Sequence, residues 1–368
     1  MANSRSSSAV AGAMRAIRAA SRTAVFFFKV FPMLPSRPID WVTSTPRVEN
    51  ARYPTCDGTA EGDLYLPSTG GPHPGILVCL GVVPFGVEHP QVSVLGKALA
   101  RAGFAALLYW SPKMRDFQLD PIDIENIPLA YRWLIERPDV DSTRSGLIGT
   151  CVGGSFSIMA AASALIRDRI AFLSAYAPYS SMETFARDIA STSRTVGSLR
   201  EPWQVDPLTR KVFIHSVTAH LEPGEAEQLR QSFASSPPAD LDSSTLSPDG
   251  QIIYALLAVK DVDGASSALR SLPPVLQQRL ASLSPVNYLK DIRAPLITLL
   301  HDRGDQVIPV GESHRLLAAL NGREGIYYTE MQFQHLDPAK GKLPLFHLMR
   351  EFGKFIRAVY PIFWQSTK

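Results

Sequence analysis

The chain has 368 residues, 45% of them hydrophobic and 19% charged, so it can bury a large core and is excluded from the disordered class. The formal net charge is +3 but uneven: residues 1–39 carry Arg5, Arg15, Arg18, Arg22, Lys29 and Arg37 with no acid, leaving 31 basic and 34 acidic residues beyond them. No basic stripe marks that remainder as a nucleic-acid surface, and three widely spaced cysteines (Cys56, Cys79, Cys151) suggest neither a disulfide framework nor a metal site.

In chain order, residues 1–40 read as a basic amphipathic segment. Val25-Phe-Phe-Phe28 and the arginines before it form no run long enough to span a bilayer. The segment is expected to pack on the body. It also admits self-association or contact with an anionic membrane surface. Arg47 to Tyr53 and Gly62 to Pro67 form a predicted hairpin across Cys56-Asp-Gly58. Gly75 to Leu80 is a near-continuous apolar strand, as expected for one buried on both faces. Helical spacing over Gln91 to Ala102 precedes a strand at Phe104 to Tyr109, and a helix follows at Ile122 to Arg137. Gly146 to Thr150 and Ile170 to Tyr176 are the next strands.

The alternation then stops. Between about Ser180 and Leu283 the helical pieces are Leu208 to Leu221, Gly224 to Ala234, Gln251 to Val259 and Val275 to Leu283, with no strand expected. It resumes with a strand at Ala294 to Leu300, helical residues Leu316 to Leu320, a strand at Gly325 to Thr329 and a closing helix at Leu345 to Val359. Repeated β–α units predict an α/β fold with a mostly parallel sheet and helices on both faces. The expected organisation is 1–40, a first core part at 41–180, a helical cap at 181–284 and a second core part at 285–368.

Gly149-Thr-Cys151-Val-Gly-Gly154 lies between a strand and a helix and has the form of a nucleophile elbow with cysteine as nucleophile. Glycines on either side of the thiol let the strand and helix backbones approach, and a helix N-terminus favours the thiolate. Such a thiol needs a base, and the base an orienting acid. The strand ending at Leu300 runs into His301-Asp302-Arg303-Gly304-Asp305, where Asp302 and Asp305 are the candidate acids, Asp305 is preferred, and Asp302 is the alternative acid or a turn or helix-cap residue. His335, in the loop after the last strand, is the expected base. His215, His220, His314 and His347 sit on predicted helices or in the insertion, and His73 in a turn. The oxyanion hole is expected from the backbone N–H groups of Val152 and Val82, with Val83 as an alternative to Val82. Pro84 has no N–H to offer. Trp203, Phe213 and Tyr254 are candidate pocket walls.

On these residues the chain resembles the α/β-hydrolase superfamily over Arg47 to Ser180 and from Leu283 onward. Arg137 to Gly154 looks like the dienelactone hydrolase family. The resemblance implies a Cys151–His335–Asp305 triad and hydrolysis of esters or lactones without a cofactor; the reaction expected of this chain is hydrolysis of an ester, lactone or thioester through an acyl-cysteine, with no metal. The chain departs from that family in two ways: Gly81 to Gly86 has no carboxylate before Glu88, and a large helical insertion is present. The expected partner is an apolar small-molecule acyl or ester substrate, with no nucleic acid. A catalytic thiol points to the reducing cytoplasm, with membrane association through residues 1–40 as a variant. A second reading is an acyltransferase of the polyhydroxyalkanoate synthase type, which uses a similar elbow. A third is a non-catalytic scaffold.

Overall fold

A computed structural model describes residues 2–31, 33–35, 37–83, 89–196, 199–235, 238–332 and 345–367. The first hairpin, β1 (Arg47–Thr55) and β2 (Gly58–Leu66), pairs antiparallel from Arg47↔Leu66 to Thr55↔Gly58. It joins β3 (His73–Cys79), β4 (Ala105–Tyr109), β5 (Val140–Thr150), β6 (Phe172–Tyr176), β9 (Ile297–Asp302) and β10 (Ile326–Met331) in one sheet of order β1-β2-β4-β3-β5-β6-β9-β10. β1 with β2 and β2 with β4 are antiparallel, and every later pairing is parallel. His73, expected in a turn, is the first residue of β3.

The central strands are apolar throughout because both their faces are covered. On one face Leu77, Leu107, Leu147 and Leu173 pack under α5 (Ile122–Ile135) and α6 (Val152–Ala160). On the other, Ile76, Val78, Leu108 and Phe172 pack under α3 (Pro90–Arg101) and α14 (Leu345–Gln365), together with α1 (Ala2–Val30).

The short helices α2 (Arg37–Val42) and α4 (Pro112–Arg115) follow α1 and β4 in the chain, and α1 lies on the body. Phe27 and Phe31 meet Phe352 with ring centroids 5.0 Å apart, and Phe26 meets Phe363 at 5.7 Å. Burying each phenylalanine contributes on the order of 2 kcal/mol. Arg15 donates to the carbonyl of Trp364, and Arg22 to those of Ala102 and Ser366, so two cations meet the C-terminal end of α14, where the helix dipole is negative. No helix among the described residues is long and apolar enough to cross a membrane.

Between β6 and β9 the chain forms α7 (Met182–Ala190), α8 (Pro207–Val217), α9 (Pro223–Ser232), α10 (Pro248–Ala258), α11 (Val262–Arg270) and α12 (Pro274–Ser282). α7 and α11 are additional to the predicted helices. A hairpin of β7 (Ser193–Val196) and β8 (Leu199–Pro202) corrects the expectation that this stretch holds no strand. Two side chains bind the start of the segment to α13 (Val310–Ala319): buried Glu312 accepts from the Ser180 N–H (2.7 Å) and the Thr184 hydroxyl (3.0 Å), and Arg315 pairs with Glu312 and Asp188.

Candidate active site

β5 ends at Thr150 and α6 begins at Val152, leaving Cys151 at the junction with φ 55° and ψ −135°. A non-glycine residue in this region costs on the order of 1–3 kcal/mol and persists only where its surroundings enforce it. Here they do. The Cys151 N–H donates to the Tyr176 carbonyl (2.8 Å), and the Cys151 carbonyl accepts from Gly154 (2.9 Å) as α6 starts.

The glycines explain how strand and helix fit. A Cβ on Gly153 would lie 2.3 Å from the Cys79 carbonyl oxygen and 2.5 Å from the Gly81 nitrogen. One on Gly149 would lie 2.3 Å from the Gly153 oxygen. These obstacles are backbone atoms, so no rotamer change removes them. Gly81, at φ 77°, packs against Val152 and Gly153, which brings the loop after β3 against the elbow. Val82 and Val152 thereby flank Cys151 at one cavity, and among the described residues neither N–H donates to another backbone or side-chain group. Residues 84–88, with Pro84 and Glu88, lie outside the described residues.

Cys151 is half-buried, whereas Cys79 is fully enclosed and its thiol is pushed up to about 12 by burial. The two cysteines therefore differ in access, and Cys79 behaves as a core residue.

β9 ends at Asp302, and both candidate acids are buried. Asp302 Oδ1 accepts from the Gly304 N–H (2.7 Å), closing a turn. Asp305 Oδ1 accepts from the N–H groups of Val307 (2.7 Å) and Ile308 (3.0 Å). Asp305 is thus held by two amides. The Tyr176 phenol is pushed up by its burial and by Asp305, Asp302 and Cys151, so the elbow and the acid-bearing loop converge around that ring.

His335 lies outside the described residues. Sequence reasoning passed over His301, which sits buried on β9 with Nε2 3.7 Å from Asp305 Oδ2. Its Nε2 faces the Ile308 carbonyl (2.9 Å) and its Nδ1 the Ser313 hydroxyl (2.6 Å). A carbonyl only accepts, so Nε2 donates to Ile308. Both ring nitrogens are thus engaged by residues around the acid-bearing loop, which His301 braces. The adjacent apolar run hid this role; the nearby Ser313 was the available signal.

The cavity at Cys151 is roofed by Met182, Phe185 and Ile189 of α7, Val212 and Phe213 of α8, and Leu276 of α12. Phe213 is thus a wall, as expected. Trp203 is not: it is buried beside Phe185 without lining the cavity. Tyr254 packs edge-on against Phe233. Among the described residues no group of His, Cys, Asp and Glu side chains has the arrangement of a metal site.

No protein-family model matches the sequence. Over 104 residues, 28% of this chain and 24% of the relative, it is 32% identical to acyl-coenzyme A amino acid N-acyltransferase 1 of Mus musculus. Over 109 residues, 29% of this chain and 25% of the relative, it is 30% identical to acyl-coenzyme A thioesterase 1 of Homo sapiens. The chain thus spans about a quarter of the length of the curated relatives it matches. Among solved structures, 2,6-dihydroxy-pseudo-oxynicotine hydrolase superposes with a TM-score of 0.52 at 15% identity, over 86% of this chain and 68% of that one. DcsB bound to a substrate analogue gives 0.52 at 17% identity over 87% and 100%. The Pyrococcus horikoshii acylaminoacyl peptidase gives 0.50 at 15% identity over 86% and 42%. The mostly parallel eight-stranded sheet with helices on both faces, the elbow after its central strand and these neighbours together give this chain the α/β-hydrolase fold.

Proposed function

We propose that the protein is a hydrolase that takes an acyl group from an ester or thioester onto Cys151 and releases it to water. The observation that carries the proposal is the strained elbow: Cys151 at φ 55°, at the N-terminus of α6 and open to an apolar cavity. In the scheme His335 accepts the thiol proton, and the Cys151 sulfur attacks the acyl carbon. The carbonyl oxygen gathers negative charge opposite the N–H groups of Val82 and Val152. Asp305 orients His335 and balances its charge. Collapse expels the alcohol or thiol, which takes the proton from His335, and water repeats the cycle on the acyl-cysteine. Two amide donors at the oxyanion lower the barrier by on the order of 3 kcal/mol each.

From the dienelactone hydrolase resemblance the proposal keeps the thiol nucleophile and leaves the lactone aside. We assign residues 181–284 the role of a cap over Cys151 and, on the strength of a catalytic thiol, place the protein in the cytoplasm. A second reading, transfer of the acyl group to an amine or alcohol, is favoured by the likeness to an N-acyltransferase and by the dry walls beside the thiol. Hydrolysis of p-nitrophenyl and thiol esters by the purified protein, with Cys151→Ala as control, tests the proposal. Activity that survives the substitution removes Cys151 as nucleophile.

A further inference from the structure

Among the described residues the cavity beside Cys151 is lined mainly by apolar side chains. Apart from the thiol, three of its lining side chains carry polar atoms: Thr209, Ser216 and Arg279. Each is bonded to the protein itself. The Thr209 hydroxyl donates to the Val307 carbonyl (3.0 Å), and the Ser216 oxygen accepts from the Leu119 N–H (3.0 Å). The Arg279 guanidinium donates to the Leu119 carbonyl (2.9 Å) and to Asp120 (3.0 Å), which also balances its charge.

The non-helical backbone in the wall is committed in the same way. Leu119 has its N–H on Ser216 and its carbonyl on Arg279. Val307 and Ile308 give their N–H groups to Asp305 and their carbonyls to Thr209 and His301. Most of the rest of the lining is aliphatic or aromatic and comes from α7, α8 and α12. Among the described residues, the Cys151 end with the Val82 and Val152 amides is one polar part of the lining, and the Ser216 hydroxyl and the Arg279 N–H groups not given to Leu119 and Asp120 are the other.

We propose that this cavity is the binding site for a plain hydrocarbon acyl group of the fatty-acid type, held with its carbonyl carbon at Cys151 and its chain among α7, α8 and α12. The inference deepens the reading of Cys151 as acyl acceptor and rests on it. A peptide-like acyl group would give up its water against walls that are mostly aliphatic or aromatic, with few polar groups beyond the Cys151 end to replace it. A methylene chain gains from the same walls, by roughly two- to fourfold in kcat/KM per methylene until the cavity is filled. Phe213, a wall residue of α8, is a specificity determinant in this arrangement.

The experiment has two arms. The first measures kcat/KM for p-nitrophenyl esters from acetate to decanoate, and for chains of equal length interrupted by one ether oxygen. The second measures binding of decanoate to Cys151→Ala by titration calorimetry, which needs no turnover. The proposal expects rates that climb at least tenfold from acetate to octanoate, about tenfold slower ether analogues, and saturable decanoate binding. Phe213→Leu, which keeps the core apolar, should move the optimum to longer chains. Acetylation of Cys151 with flat chain-length dependence and no decanoate binding would overturn the acyl-chain site and leave the nucleophile standing. Decanoate binding without acylation of Cys151 by any ester would support the apolar site and overturn the nucleophile.

Discussion

Thr209, at the start of α8, donates its hydroxyl to the carbonyl of Val307 at 3.0 Å, and the N–H of the same Val307 is held by Asp305 at 2.7 Å. Arg194 of β7 adds a contact to the Asp305 carbonyl at 3.3 Å. The helical segment therefore grips the loop that carries the proposed acid. Thr209→Val keeps the shape and removes one hydrogen bond, worth about 1 kcal/mol. If that grip sets the acid, thermal unfolding should show a loss of this size while kcat/KM falls by roughly three- to tenfold. A stability loss with unchanged kinetics would make the bond purely structural.

Gly153→Ala forces a Cβ into the backbone of Cys79 and Gly81, at 2.3 and 2.5 Å. Strand and helix must part, at a cost of about 1–3 kcal/mol or more. The expected result is a lowered Tm together with a loss of activity beyond tenfold, because the elbow holds the proposed nucleophile. Gly224→Ala, where nothing lies within 4 Å, serves as the control and should change neither.

Asp305→Asn and Asp302→Asn separate the two buried carboxylates. Asp305→Asn should lower kcat by roughly 10³ or more, in the manner of triad acids. Asp302→Asn, whose turn bond to Gly304 an amide oxygen can still accept, should cost far less. The reverse order would move the acid to Asp302.

Alkylation by iodoacetamide tests the contrast between thiols. Burial raises Cys79 from 9.0 to about 12, so in the folded protein it stays protonated, and enclosed, at pH values where an ordinary thiol ionises. Between pH 7 and 9 mass mapping should find Cys151 modified first and Cys79 only after unfolding. Equal rates at the two sites would contradict the assignment.

Much of this architecture was legible in the sequence, for physical reasons. Gly75 to Leu80 and Phe104 to Tyr109 are apolar because both faces of the sheet are covered, and β1 and β2 pair as the hairpin predicted around Cys56-Asp-Gly58. Gly149, Cys151 and Gly153 are legible as a group because only glycine fits where backbone meets backbone. The β7–β8 hairpin was not legible: four-residue strands carrying Arg194, Arg200 and Glu201 bury too little to leave an alternating pattern. α11 is short and contains Gly264, although Asp261 caps it. α7 had a readable start in Ser181, whose hydroxyl accepts from Thr184. Tyr254 was misplaced because an aromatic residue on a helix shows which residues are apolar and not which cavity they face.

The central claim is a covalent one, and mass spectrometry of the protein quenched during turnover of an octanoyl thioester tests it most directly. The account predicts an octanoyl group on the peptide containing Cys151, none on those containing Cys56 or Cys79, and loss of both adduct and turnover in Cys151→Ala. Turnover that continues without an adduct at Cys151, or persists in Cys151→Ala, would contradict it.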